Sequence, residues 1–114
     1  MGPAQAADDW GTMTEMESAK LQACKVSADG GDAWKVKLRV RNGNDYRVKG
    51  IGQVYKGGEP TNREWNSRWV RSGDSSAVGS VTMPRGPRFE LLHGISFGEG
   101  GNGGMSSASG IGRC

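Results

Sequence analysis

Apolar and polar positions alternate along most of the chain with the period of a β-strand, and Gly-, Asn- and Pro-rich breaks separate the runs. The clearest run sets Trp34, Val36, Leu38 and Val40 against Lys35, Lys37, Arg39 and Arg41. A helix would scatter those cations around its circumference, whereas a strand lines them up as one exposed ridge above a buried apolar row. Phe89, Leu91, His93, Ile95 and Phe97 give a second clean alternation and predict a central, inward-facing strand.

Asn42-Gly43-Asn44-Asp45 predicts a tight turn, because Asn and Gly tolerate the positive φ that hairpins demand. Tyr46 and Val48 then alternate with Arg47 and Lys49, which would set two more cations on the strand beside the ridge. Around Gly50-Ile51-Gly52 the pattern shifts by one, the mark of a bulge. Further on, Trp65, Ser67 and Trp69 alternate with Glu64, Asn66 and Arg68, so both indoles should project to one side, one of them as a core anchor. Ser75 to Met83 reads as a small-residue strand ended by Pro84-Arg85-Gly86-Pro87, since proline cannot donate to a ladder. Gly98 to Gly104 reads as a loop and Met105 to Cys114 as a last strand. Seven or eight short strands at this spacing predict an all-β, antiparallel, immunoglobulin-like β-sandwich.

Residues 1–18 read differently from the body at 19–114. Ala4-Gln5-Ala6 has the small-x-small pattern that precedes a signal-peptidase cut, so the segment is expected to hold the remnant of an export signal. A cytosolic Ala-rich tail is the alternative. Trp10, Met13 and Met16 then lie among acidic and polar residues, which suggests an extended N-terminal arm ordered by a partner's groove. A short helix is the other reading, as 13 and 16 are three apart.

Composition narrows the class. A chain of 114 residues forms one domain. With 34% apolar residues it has no run of the roughly 18 to 20 that a membrane span needs, so no membrane insertion is expected. Cys24 and Cys114 stand without CxxC spacing or a histidine cluster, which reads as one disulfide in an oxidising compartment. Two unpaired thiols are the alternative. Charge is unevenly spread: residues 1–32 carry a net −4 and residues 33–88 a net +8, an acidic arm joined to a basic body.

Candidate chemistry is sparse. Gly98-Glu99-Gly100-Gly101-Asn102-Gly103 has the letters of a dinucleotide fingerprint, but the chemistry needs a following helix and an acid about 20 residues on. His93 is the only histidine and lacks a local nucleophile signature, and one His with two paired Cys cannot complete a zinc site. No two carboxylates stand out as a catalytic pair. The chain is therefore expected to be no enzyme, with no catalytic residue, metal or cofactor. The ridge of Lys35, Lys37, Arg39 and Arg41 is the best electrostatic candidate: a solvated face, or a surface for an acidic protein or wall polymer. Nucleic acid is the least fitting partner of an exported protein.

Cys24-Lys25-Val26, the Trp34 strand, the run Arg63 to Val70, the run Ser75 to Val81 and Gly112-Arg113-Cys114 together resemble a group of small exported actinobacterial proteins. One set of these is the adaptor subunit of umbrella toxin particles, antibacterial assemblies in which an adaptor joins a lectin subunit to the repeats of a toxin-bearing polypeptide. The resemblance implies a secreted, extracellular adaptor whose arm, with Trp10, Met13 and Met16, enters a lectin subunit's cleft. The basic face would meet the repeat-containing polypeptide. A cell-wall or carbohydrate-binding module using Trp65 or Trp69, and a secreted protease inhibitor presenting Met83 to Arg88, are the rival readings.

Overall fold

The structure, a computed structural model, describes residues 9–114. Eight strands among them make two antiparallel sheets. The first sheet runs β1 (Gly11–Met16), β2 (Ala19–Ala28), β3 (Ala33–Asn42), β6 (Gly79–Pro84), and the second β5 (Glu59–Val70), β4 (Val48–Lys56), β7 (Phe89–Ser96), β8 (Gly101–Ser107). The chain crosses between sheets from β3 to β4, from β5 to β6 and from β6 to β7, while β3 pairs with β6 and β4 with β7. Those interlocked crossings are the Greek-key logic of an immunoglobulin-like sandwich.

The core lies between the sheets. Val36, Leu38 and Val40 of β3 face Val48 and Val54 of β4 and Leu91 and Ile95 of β7, all buried. Each fully buried side chain of this size contributes roughly 1.5–3 kcal/mol of transfer free energy. The alternation in β3 is as expected, with Lys35 and Arg41 exposed and Lys37 and Arg39 half-buried on the outer face. The β7 strand is central and inward-facing as expected, but Phe97 lies beyond its end and is exposed.

Several local expectations are corrected. Residues Gly11–Met16 are not a free arm: they pair with β2 as the edge strand of the first sheet, so the body begins before residue 19. A register shift between Thr12 and Thr14 lets Met13, Thr14 and Met16 all turn toward the core, so the helix-like spacing of Met13 and Met16 comes from an irregular strand. The export-signal remnant and residues 1–8 lie outside the described residues.

Asn42 to Asp45 is a turn, but it carries the chain from one sheet to the other instead of closing a hairpin, so Arg47 and Lys49 leave the ridge for the second sheet. Buried asparagines hold this corner. Asn42 Nδ2 donates to the carbonyls of Tyr46 and Val70 (both 2.9 Å), and Asn44 Nδ2 to that of Met16 (3.1 Å), which satisfies backbone a buried turn would orphan.

On β4 the alternation runs unbroken, with Gly50 and Gly52 inward and Ile51 outward; a bulge does fall between Lys49 and Ile51, but its extra residue belongs to the partner strand β5. A Cβ on Gly50 would sit 2.3 Å from Val40 Cγ2, and one on Gly52 2.7 Å from Leu38 Cδ1; opposing side chains use that space. The glycine run expected as a loop supplies the first half of β8, where a Cβ on Gly101 would lie 2.1 Å from the Ile95 carbonyl oxygen. Beyond β8 the chain makes a short 3₁₀ turn, Ala108–Gly110, rather than continuing as a strand.

Cys24 and Cys114 are joined in a disulfide. It ties β2 to an extended tail, where the sequence predicts a last strand over Met105 to Cys114. Lys25 N donates to Gly112 O and Cys114 N to Lys25 O, both at 2.9 Å, so the tail continues the sheet edge past the point where β1 stops.

Candidate functional site

The two outer faces of the sandwich differ in chemistry. On the first sheet Lys35, Lys37, Arg39 and Arg41 stand in a row, and Lys20 pairs across from Arg41. Arg39 is held in place: its Nε donates to Gln22 Oε1 at 2.8 Å, and its guanidinium lies 4.2 Å from the ring centre of Trp10. Trp10 therefore folds over the ridge from the start of β1. Met13 packs against the core and Met16 is buried within it, so these two side chains are turned away from any partner.

The outer face of the second sheet carries Lys49, Gln53 and Glu90, and between them and the β8 edge an apolar, glycine-lined patch. Ile51 and Leu92 border an open trough of about 450 Å³ whose floor and rim include Gly94, Gly101, Asn102 and Gly103. Met105, across from Leu92 on the same face, is 42% exposed. Absence of Cβ atoms at the paired Gly94 and Gly103 is what opens the trough.

Trp65 and Trp69 do not share a side. Trp65 pairs with inward-facing Gly52 and packs on the core, while Trp69 pairs with Lys49 and is 38% exposed. Between them Asn66, Ser67, Arg68 and Trp69 span only Ile51 to Lys49 on the partner strand, and Arg68 adopts φ 60°. This bulge re-aims the second indole, and Ser67 Oγ accepts the Gly50 N–H at 2.8 Å within it. Arg47 and Lys49 lie over Trp69 at 4.2 and 4.7 Å from its ring centre. Trp65 is thus no sugar platform, and the ring of Trp69 is already engaged by two cations.

His93 is buried among hydroxyls that sequence spacing does not bring near it. Its Nδ1 is 2.8 Å from Thr14 Oγ1 and its Nε2 2.9 Å from Ser106 Oγ. Thr14 Oγ1 donates its own proton to the His93 carbonyl at 3.1 Å, so it must accept from Nδ1–H. That leaves Nε2 to accept the Ser106 hydroxyl proton. Burial lowers the imidazole pKa below its usual range and keeps the ring neutral. A serine beside a histidine has the outline of a nucleophilic pair, yet the third member is a threonine, which cannot stabilise an imidazolium as a carboxylate does. The trio ties β1, β7 and β8 together. Among the described residues, no three His, Cys, Asp or Glu gather to hold a metal.

Two antiparallel sheets, one disulfide and two chemically unlike outer faces define an all-β sandwich. No protein-family model matches the chain, and no curated protein or solved structure matches it either. Among the described residues no helix is long and apolar enough to cross a membrane.

Proposed function

We propose that the protein is a secreted, non-enzymatic adaptor that bridges two protein subunits of an extracellular assembly, one on each outer face of its sandwich. The observation that carries this reading is the opposition of a cationic row at Lys35 and Arg41 on one outer face to an apolar, glycine-lined trough at Ile51 and Leu92, with Met105 beside it, on the other. Opposite chemistries on opposite sides suit two different partners: an acidic surface for the first and an apolar side chain for the second. The resemblance to the adaptor subunit of umbrella toxin particles supports the same role, with a lectin subunit and a repeat-containing polypeptide as the implied partners. A disulfide fits secretion.

The manner of binding differs from insertion of a free arm. Met13 and Met16 serve the core, which leaves Trp10 and the edge of β1 as what the N-terminal segment can present. An edge strand can accept a partner's strand by backbone pairing.

The test is affinity purification from the native culture fluid with two variants. Lys35→Glu with Arg41→Glu should lose one partner, and Trp69→Ala with Met105→Ser should lose a different one. Loss of the same partner by both, or of none by either, overturns the bridging role.

A further inference from the structure

At the disulfide end of the sandwich, three cations that neither face uses surround the indole of Trp34. The Arg85 guanidinium lies 3.8 Å from a Trp34 ring centre, Lys25 Nζ 4.6 Å and the Arg113 guanidinium 5.1 Å. They come from three parts of the chain: the turn after β6, β2, and the tail beyond β8.

Each cation is fixed by neutral groups. Arg85 Nη2 donates to Ser27 Oγ at 2.8 Å, and its backbone N–H donates to the Asp32 carbonyl at 3.2 Å. Lys25 Nζ donates to the carbonyl of Ala108. Arg113 is held on both sides by the backbone bonds of Gly112 and Cys114 to Lys25. The disulfide joins the residue before Lys25 to the residue after Arg113, so one covalent bond sets both cations side by side.

An indole attracts each cation but does not offset a charge of three. The repulsion is felt: burial first, and then Arg113 and Arg85, push the Lys25 ammonium below its ordinary pKa range. Arg85 and Arg113 are exposed at the rim, while Lys25 lies buried beneath them. A fold that locks like charges together and leaves two guanidinium edges open to solvent has the electrostatics of an anion site.

We propose that this end of the sandwich is a phosphate-binding site, in which Arg85 and Arg113 bind the phosphate oxygens and Lys25 adds charge from below. A phosphate dianion offsets more of the three charges than a carboxylate does and offers more oxygens to forked donors. The group can arrive as the free ion or as a phosphomonoester on a larger molecule. This site is separate from both sheet faces, so its failure leaves the bridging role standing, and the reverse holds.

Inorganic phosphate and O-phosphoserine, titrated at constant ionic strength and followed by ¹H–¹⁵N spectra, test the assignment. The indole N–H of Trp34 and the amides of Lys25 and Arg113 should shift and saturate. Arg85→Gln and Arg113→Gln should each weaken binding by about tenfold or more, as expected for loss of a charged hydrogen bond. Arg71→Gln, an equal charge change beyond the end of β5, should not. Saturation by phosphate alone identifies the ligand as the free ion, and saturation by both identifies it as a phosphomonoester. Shifts that never saturate, or an equal loss in Arg71→Gln, overturn the site as mere charge screening.

Discussion

Thr14 on the first strand and His93 on the seventh meet at 2.8 Å, Oγ1 to Nδ1, across the gap between the two sheets. The contact joins an edge strand of one sheet to a central strand of the other. Thr14→Val removes the acceptor while leaving the imidazole buried, and an unpaired buried donor costs about 1–3 kcal/mol. A urea melt should show that loss, and the same melt on Ser106→Ala should show a smaller one, because Ser106 is only half-buried.

The same histidine gives stability a pH dependence of known sign. Burial lowers its folded-state pKa below the unfolded value near 6.5. The unfolded chain therefore binds the proton more readily, and the contribution is fully present above about pH 6.5 and shrinks as pH falls from there through the folded pKa. Urea midpoints across that range should decline for the natural chain and flatten in His93→Leu. A midpoint that rises on acidification through this window would show that the ring is not held neutral.

Gly79 lies where Trp65 needs room: a Cβ there would be 2.0 Å from the indole Nε1 and 2.2 Å from Cδ1. Trp65 leans from β5 toward β6, and the missing side chain at Gly79 lets the two sheets close along that edge. Gly79→Ala should cost about 1–3 kcal/mol by overpacking. Trp65→Leu in the same chain should recover part of the loss, a non-additivity that a double-mutant cycle of thermal melts reads directly.

The sequence pattern reveals β3 and β7 because each alternates cleanly against one buried face, and a period of two has no other reading there. It misleads wherever space rather than hydrophobicity decides direction. Gly50 and Gly52 point into the core and Ile51 out of it, so the apolar residue marks the wrong face. Arg68, a long cation at φ 60°, hides the bulge that separates Trp65 from Trp69; only Asn66, whose Oδ1 accepts the Arg68 N–H at 2.7 Å, marks it in the sequence. The ridge of Lys35 to Arg41 is legible, but the cations around Trp34 are not. Lys25, Arg85 and Arg113 converge only because the tail returns to β2, and only the pairing of Cys24 with Cys114 hinted at that return.

That strain at Arg68 is open to test. Arg68→Gly keeps the left-handed backbone available and should leave the melt within about 1 kcal/mol, since relief of strain offsets the entropy of a freer unfolded chain. Arg68→Val is β-branched and resists positive φ, so it should destabilise by about 1–3 kcal/mol. If the bulge is what turns Trp69 outward, Arg68→Val should also change the accessibility of that indole to a soluble fluorescence quencher. Unchanged stability in both variants would mean that the backbone at residue 68 bears no strain.

The disulfide closes a loop spanning 90 residues and anchors a tail whose Ile111 is buried. In the chain-entropy model such a crosslink contributes on the order of 4 kcal/mol by restricting the unfolded state. Cys24→Ser with Cys114→Ser should lower stability by about that amount if the tail stays docked. It should lower it further if Ile111 is released, since burying that side chain contributes roughly 1.5–3 kcal/mol more. Hydrogen exchange separates the two cases. The Lys25 and Cys114 amides, each bonded across the junction at 2.9 Å, should keep their protection in the first case and lose it in the second, while amides of the central pair β4–β7 stay protected in both.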